Sequence, residues 1–135
     1  MSEPKEMVNH PSHYNLGPKE ADGTAKYEAI KVIEDWSLGF KLGNALKYVL
    51  RAPHKGTEEQ DLNKARWYLD RHVLCPDHPD RDGPEWSMAA VQVAEAWGLP
   101  DALEGVVRHI RIGDAKNAIV LLDSYVISRA ARDHG

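Results

Sequence analysis

Several residue types that define common protein classes are scarce in this chain of 135 residues. Its single cysteine, Cys75, excludes an intrachain disulfide and a four-thiolate zinc site, and it fits a reducing compartment. No run of about 18 apolar residues is present, as a membrane-spanning helix would require. Aromatic residues make up only 7% of the chain, and no alternation of β-branched residues is sustained. We therefore expect an all-α, cytoplasmic protein without a membrane partner.

The composition that is present is typical of a folded domain. Hydrophobic residues make up 42% and charged residues 28% of the chain, which is enough to build one ordinary core and excludes disorder throughout. The net charge of −4 argues against a surface built to hold extended nucleic acid. Any phosphate site must therefore be a local cluster of cations.

Proline and glycine divide the chain into four segments. Five of them among polar residues predict an extended arm over residues 1–23, and two prolines and a glycine predict a linker over residues 76–83. A first helical unit then covers residues 24–75 and a second covers residues 84–135, within one compact body.

Apolar residues at helical spacing predict three helices in the first unit. The expected buried residues are Ala29, Ile30, Val32, Ile33 and Trp36 in the first helix, Leu42, Ala45, Leu46, Val49 and Leu50 in the second, and Leu62, Ala65, Leu69 and Val73 in the third. Beside the second of these stripes, helical spacing also groups four polar residues into one strip on the flank, which consists of Asn44, Lys47, Tyr48 and Arg51.

The second unit repeats the pattern of the first. At an offset of 61 residues, Val32 through Leu38 align with Val93 through Leu99, which places Trp36 on Trp97. The third helices also align, with Asp61 placed on Asp114. This favours two similar three-helix units. The alternative is that any helical bundle shows such periodicity, and both interpretations predict a compact bundle with antiparallel neighbours.

Four short motifs together resemble one known signature. They are His10-Pro11-Ser12-His13-Tyr14, Leu42 through Arg51, Lys55-Gly56, and Asp61 through Leu69. In these motifs, which lie between about residues 10 and 73, the chain is similar to the small phage proteins of the SaV-like or nucleotide-kinase-like family. The second unit lies outside the usual pattern of that family.

The resemblance implies a phage-encoded protein of the bacterial cytoplasm that phosphorylates deoxynucleoside monophosphates. ATP is then the expected phosphoryl donor, and no Mg²⁺ site is assigned. Such chemistry needs positive charge around the phosphate oxygens and little covalent participation from the protein. The candidate catalytic residues are Lys47, Arg51 and Asp61. The candidate substrate-binding residues are His13, Tyr14, Asn44, Tyr48, Lys55, Lys64 and Tyr68.

Plainer interpretations of the same residues stay open. No Gly-x-x-x-x-Gly-Lys-Ser/Thr loop is present to cradle ATP. A cationic strip is commonly a solvated helix face, and a lone aspartate such as Asp61 is commonly a helix N-cap. His10 and His13 lack further ligands nearby for zinc, so no metal site is predicted. The alternative functions are a non-catalytic nucleotide-binding protein and a helical module that contacts a host protein. Self-association into a homo-oligomer is also expected.

Overall fold

The computed structural model describes residues 26–54, 56–78 and 83–134, and within these residues it contains helices and no strands. The all-α prediction is therefore confirmed. The predicted arm, with His13 and Tyr14, and the candidate Lys55 lie outside the described residues. The α-helices are α1 (Ala29–Asp35), α2 (Phe40–Arg51), α3 (Glu58–Leu74), α4 (Ala90–Ala96), α5 (Asp101–Arg111) and α6 (Ala115–His134), with a 3₁₀ turn at Ala52–His54.

The core lies between the two halves of the chain and is built from the predicted stripes. All five apolar residues predicted for α2 are buried, and so are Val106, Val107 and Ile110 of α5. One prediction for α1 is wrong, because Ile30 is 54% exposed. This helix has only two turns, and Val32 and Trp36 form its buried face, so the neighbouring position 30 points to solvent.

The turns that end α1 and α4 have the same backbone geometry. After Trp36, the N–H of Ser37 donates to the carbonyl of Glu34, at 3.1 Å. After Trp97, the N–H of Gly98 donates to the carbonyl of Glu95, at 3.0 Å. Both turn residues are left-handed, with φ of 55° for Ser37 and 68° for Gly98. The two halves therefore end their first helices in the same way.

The two aligned tryptophans are buried, and each donates a hydrogen bond to the opposite half. The Nε1–H of Trp36 donates to the carbonyl of Met88, and that of Trp97 donates to the carbonyl of Tyr27, both at 2.8 Å. Residues 27 and 88 are separated by the same 61 positions as the two tryptophans. Since each bond is the counterpart of the other, the halves are arranged about an approximate two-fold axis, like the subunits of a symmetric dimer.

The segment predicted as a linker takes part in the packing at its described end. The carboxylate of Asp77 accepts a hydrogen bond from the N–H of Leu42 in the first turn of α2, at 2.9 Å. Lys41 lies 3.4 Å from the same carboxylate. Gly39, which precedes α2, has no side chain to cap it, so Asp77 satisfies the helix from outside.

Residues just before α4 are fixed on the end of α1. The carbonyl of Asp35 accepts from the N–H groups of Glu85 and Trp86, and its carboxylate accepts from those of Ser87 and Met88. The Ser87 hydroxyl also donates to this carboxylate. Asp35 is buried, and these donors compensate its charge.

No described helix has the length and hydrophobicity that a span across a bilayer requires.

Candidate functional site

The predicted strip on α2 faces α3 rather than open solvent. At one end of the pair, the rings of Phe40 and Tyr68 are 5.9 Å apart. At the other end, Nε of Arg51 lies 3.8 Å from Oδ1 of Asp61. These contacts make the helices antiparallel neighbours, so the candidate residues of α2 and α3 converge along one groove.

Tyr48 is at the centre of this convergence. The Lys47 ammonium lies 4.7 Å from the ring centroid, the Lys64 ammonium 5.4 Å, and the Arg51 guanidinium carbon 5.5 Å. The Tyr68 ring stacks beside it at 6.0 Å with an interplanar angle of 14°. Aromatic faces attract cations, which explains how three positive side chains gather around one ring. We refer to Lys47, Tyr48, Arg51, Lys64 and Tyr68 as the cationic cluster.

The charges of the cationic cluster are compensated only in part. Arg51 lies near the carboxylate of Asp61, whereas within the described residues neither Lys47 nor Lys64 forms an ion pair. The cluster is therefore positive on a chain whose net charge is −4. Such a local excess of cations beside aromatic rings suits an anionic ligand that carries a flat ring.

Asp61 has a different position from the one that its sequence context favours. The helix begins at Glu58 with Thr57 before it, so the interpretation of Asp61 as an N-cap is wrong. Asp61 is 2% exposed and accepts a hydrogen bond from the Thr57 hydroxyl, at 3.1 Å. Its other oxygen lies 3.8 Å from Nε of Arg51, so the two side chains form an ion pair without a hydrogen bond at this nitrogen. Thr57 was not predicted as a partner of Asp61, although a spacing of four residues at the start of a helix brings two such side chains close together.

A row of exposed aromatic rings borders the cationic cluster. Phe40 is 72% and Trp67 is 53% exposed, and both rings meet Tyr68 edge to face, at 5.9 and 5.0 Å. The Arg71 guanidinium lies 5.2 Å from the Trp67 ring. Phe40 is not among the residues predicted from the sequence, although it is the only phenylalanine of the chain and lies outside the apolar stripe of α2. These rings supply surfaces on which a base can stack.

Asn44, the remaining candidate of α2, is less available to a ligand. The Asn44 side-chain amide donates to the carbonyl of Phe40 in its own helix, at 2.8 Å. Asn44 lies on the rim of a shallow groove that includes Lys47 and Gly43. In the described part of the chain, no group of three histidine, cysteine, aspartate or glutamate side chains is arranged to hold a metal ion.

Comparisons with known proteins match this half of the chain. Residues 8–70 match a family described as a protein of unknown function, DUF3310. The chain is also similar to the Gene 1.7 protein of Enterobacteria phage T3, with 40% identity over 88 residues that cover 56% of this chain and 50% of that protein. It thus spans about half the length of this curated relative. No solved structure gives a significant match.

The matches support a phage origin of the chain, as the resemblance of its motifs implied. The family match ends at residue 70, within α3, and so covers the strip of α2 and Asp61 with its neighbours. The descriptions of the family and of the relative state no activity.

Proposed function

We propose that the cationic cluster binds a nucleotide and that the protein transfers a phosphoryl group to deoxynucleoside monophosphates. The observation that carries this proposal is the convergence of three cations on the face of Tyr48, beside exposed aromatic rings. A nucleotide has the matching chemistry, since it joins phosphate oxygens to a flat base. The motif resemblance implies the same chemistry, whereas the phage relative supports only the phage origin of the chain.

Each side chain has a distinct role in the proposal. Arg51 is held by Asp61 and presents its planar fork to two phosphate oxygens, whereas Lys47 and Lys64 act as mobile point charges. Tyr68 stacks on the base. Asp61 acts on Arg51 and is therefore a positioning residue in this scheme.

His13, Tyr14 and Lys55 lie outside the described residues, and their proposed part in substrate binding rests on the motif resemblance alone. ATP is the proposed phosphoryl donor. No described loop has the P-loop pattern, so the phosphates of both nucleotides would be held by side chains in place of a backbone cradle.

One observation favours binding without turnover as the second candidate. Asp61, whose carboxylate forms the ion pair with Arg51 at 3.8 Å, is buried and accepts a hydrogen bond from the Thr57 hydroxyl. It is therefore poorly placed to accept a proton from an incoming phosphate acceptor. A protein that sequesters a nucleotide needs the cations and the aromatic rings but no such group.

Thermal shift measurements with deoxynucleoside monophosphates and ATP test binding, because a ligand of the folded state raises the unfolding midpoint. Turnover is then measured as the formation of nucleoside diphosphate. A midpoint shift with turnover supports the kinase, and a shift without turnover supports the sequestering protein. The absence of any shift contradicts both.

Lys64→Ala locates the site. Lys64 makes no ion pair within the described residues, so its removal should leave the fold intact and weaken binding about tenfold, as expected for one charge-assisted contact. The matched control is Asn117→Ala, at the aligned position of the second half. Equal affinity of Lys64→Ala and the parent would place the nucleotide elsewhere.

A further inference from the structure

A second cleft lies on the other side of α2, at the junction of the two halves. It has a volume of about 300 Å³ and is formed by the turn after α1, the end of α3, the segment before α4 and the end of α5. Its wall includes Trp36, Ser37, His72, Asp77, Trp86 and Arg111. None of them belongs to the cationic cluster.

Two strained residues line this cleft. In the described part of the chain, Ser37 and Trp86 are the two residues other than glycine with positive φ, at 55° and 60°. Side chains with a Cβ disfavour this conformation, and the aligned turn of the second half uses Gly98 for it. Strained backbone of this kind concentrates where a ligand is held. Both strained residues face one cavity, which singles it out from the other clefts.

The Ser37 hydroxyl is an unsatisfied polar group. Ser37 is only 8% exposed, and its Oγ has no hydrogen-bond partner within the described residues. A buried hydroxyl without a partner destabilises the fold, and glycine would avoid both this cost and the strained φ. The serine is therefore unfavourable for the folded chain alone.

The charged groups of the cleft favour an anion. Arg111 donates from Nε to the carbonyl of Met88, at 3.2 Å, and from a terminal nitrogen to that of Trp86, at 3.5 Å, and it forms no ion pair within the described residues. Asp77 already caps α2 and contacts Lys41. The backbone N–H of Asp77 donates to Nδ1 of His72, at 3.1 Å, so the proton of a neutral His72 ring is on Nε2. The remaining groups of the wall are thus mainly donors.

The apolar wall is aromatic. The Arg111 guanidinium carbon lies 4.5 Å from the ring centroid of Trp86 and 5.6 Å from that of Trp36. We propose that this cleft binds a small aromatic anion, whose ring packs against the indole of Trp86, which is 43% exposed, and whose charged group contacts Arg111 and the Ser37 hydroxyl. The site is independent of the nucleotide site on the opposite flank of α2.

Nuclear magnetic resonance of the full ¹⁵N-labelled chain tests the site, with benzoate and phenyl phosphate as probes. The chain has four tryptophans, and their indole N–H signals are assigned by single Trp→Phe variants. The signals of Trp36 and Trp86 should shift on titration, and those of Trp67 and Trp97 should not. Uncharged benzamide should cause no comparable shift. A response to one probe alone identifies the anionic group as carboxylate or phosphate.

Ser37→Gly separates ligand binding from packing. This substitution relieves the strain at φ and deletes the unsatisfied hydroxyl, so the thermal midpoint should rise. The affinity for the probe should fall about tenfold, because one contact is lost. Gly98→Ser is the matched control, since it should lower the midpoint and leave the affinity unchanged. Lys64→Ala should also leave it unchanged, which keeps this proposal separate from the nucleotide site.

Three results would overturn the proposal. One is the absence of a shift of Trp36 and Trp86 with either probe. Another is an unchanged affinity in Ser37→Gly. The third is a dominant shift of the Trp67 signal, because it would place the anion at the cationic cluster.

Discussion

The two halves share their interior and differ at the surface where their second and third helices meet. In the first half, the α2–α3 groove carries the cationic cluster. At the aligned place in the second half, Arg108 binds Glu104 of its own helix at 2.6 Å, and this bond raises the pKa of the guanidinium further. Ile112 stands where the first half has Arg51, and it is 60% exposed. At these aligned positions of the second half, the one cation, Arg108, is therefore engaged by a carboxylate of its own helix.

The aligned aspartates show the same divergence. Asp61 is buried against Arg51, whereas Asp114 directly precedes α6 and accepts from the backbone N–H of Asn117, at 3.2 Å. Asp114 is therefore an N-cap, which Asp61 is not. Packing in the shared core constrains the apolar positions of both halves, but the aligned polar positions have taken different roles, even where one of them, Asp61, is buried. The two halves therefore share the packing of their interior but not the chemistry of their polar residues.

The largest effect is expected where the halves depend on each other. Trp97→Ala removes a fully buried ring and the bond to Tyr27, and it should lower the free energy of unfolding by about 3–5 kcal/mol. Urea denaturation followed by circular dichroism measures this loss. Because the core is common to both halves, unfolding should stay a single transition. Two transitions would show that the halves are separate folding units.

A smaller effect on stability is expected when alanine replaces either of two glycines that differ in their neighbours. A Cβ on Gly39 would lie 2.6 Å from the Cβ of Asp77, so Gly39→Ala should displace the cap of α2 and cost about 1–3 kcal/mol. A Cβ on Gly105 in α5 would meet only a Leu121 methyl, at 3.0 Å. Gly105→Ala should change stability little, because the gain in helix propensity offsets this contact. Equal losses in the two variants would contradict the importance of the Asp77 contact.

Much of the fold follows from the sequence, because buried helical faces leave a periodic record. The stripe of α2 and the aligned tryptophans were both predicted and are buried. The convergence of Lys64 and Tyr68 on Tyr48 was not predictable in detail, since it depends on how α2 and α3 are rotated against each other. The Asp77 cap escaped prediction for a similar reason, as 35 residues separate it from Leu42.

The difference between the grooves also predicts one nucleotide per chain. Lys47 forms no ion pair within the described residues, so Lys47→Ala should weaken nucleotide binding about tenfold without unfolding the chain. Arg108→Ala should have no effect, because this arginine is bound to Glu104. Calorimetric titration measures both the number of nucleotides bound per chain and the affinity of each variant. Two equivalent sites per chain, or equal losses in the two variants, would remove the distinction between the halves.

The smallest effect concerns the N-cap of α6. Hydrogen bonds from the side chain and then from the backbone N–H of Asn117 lower the pKa of Asp114. A lowered pKa in the folded state means that the ionised carboxylate stabilises the fold, fully above the pKa of the unfolded chain, and that this stabilisation is lost as the pH falls through the folded pKa.

Two substitutions separate the cap from the charge at this position. Asp114→Ala should cost about 1 kcal/mol at neutral pH, whereas Asp114→Asn retains a capping oxygen and should cost less. The Nδ1 of His109 lies 3.4 Å from Asp114, so both variants are compared in a His109→Gln background, which removes this contact. Urea denaturation between about pH 2 and 7 should show the parent and Asp114→Asn converging as the carboxyl is protonated. A difference that is constant over this range would show that the ionised carboxylate contributes nothing to stability.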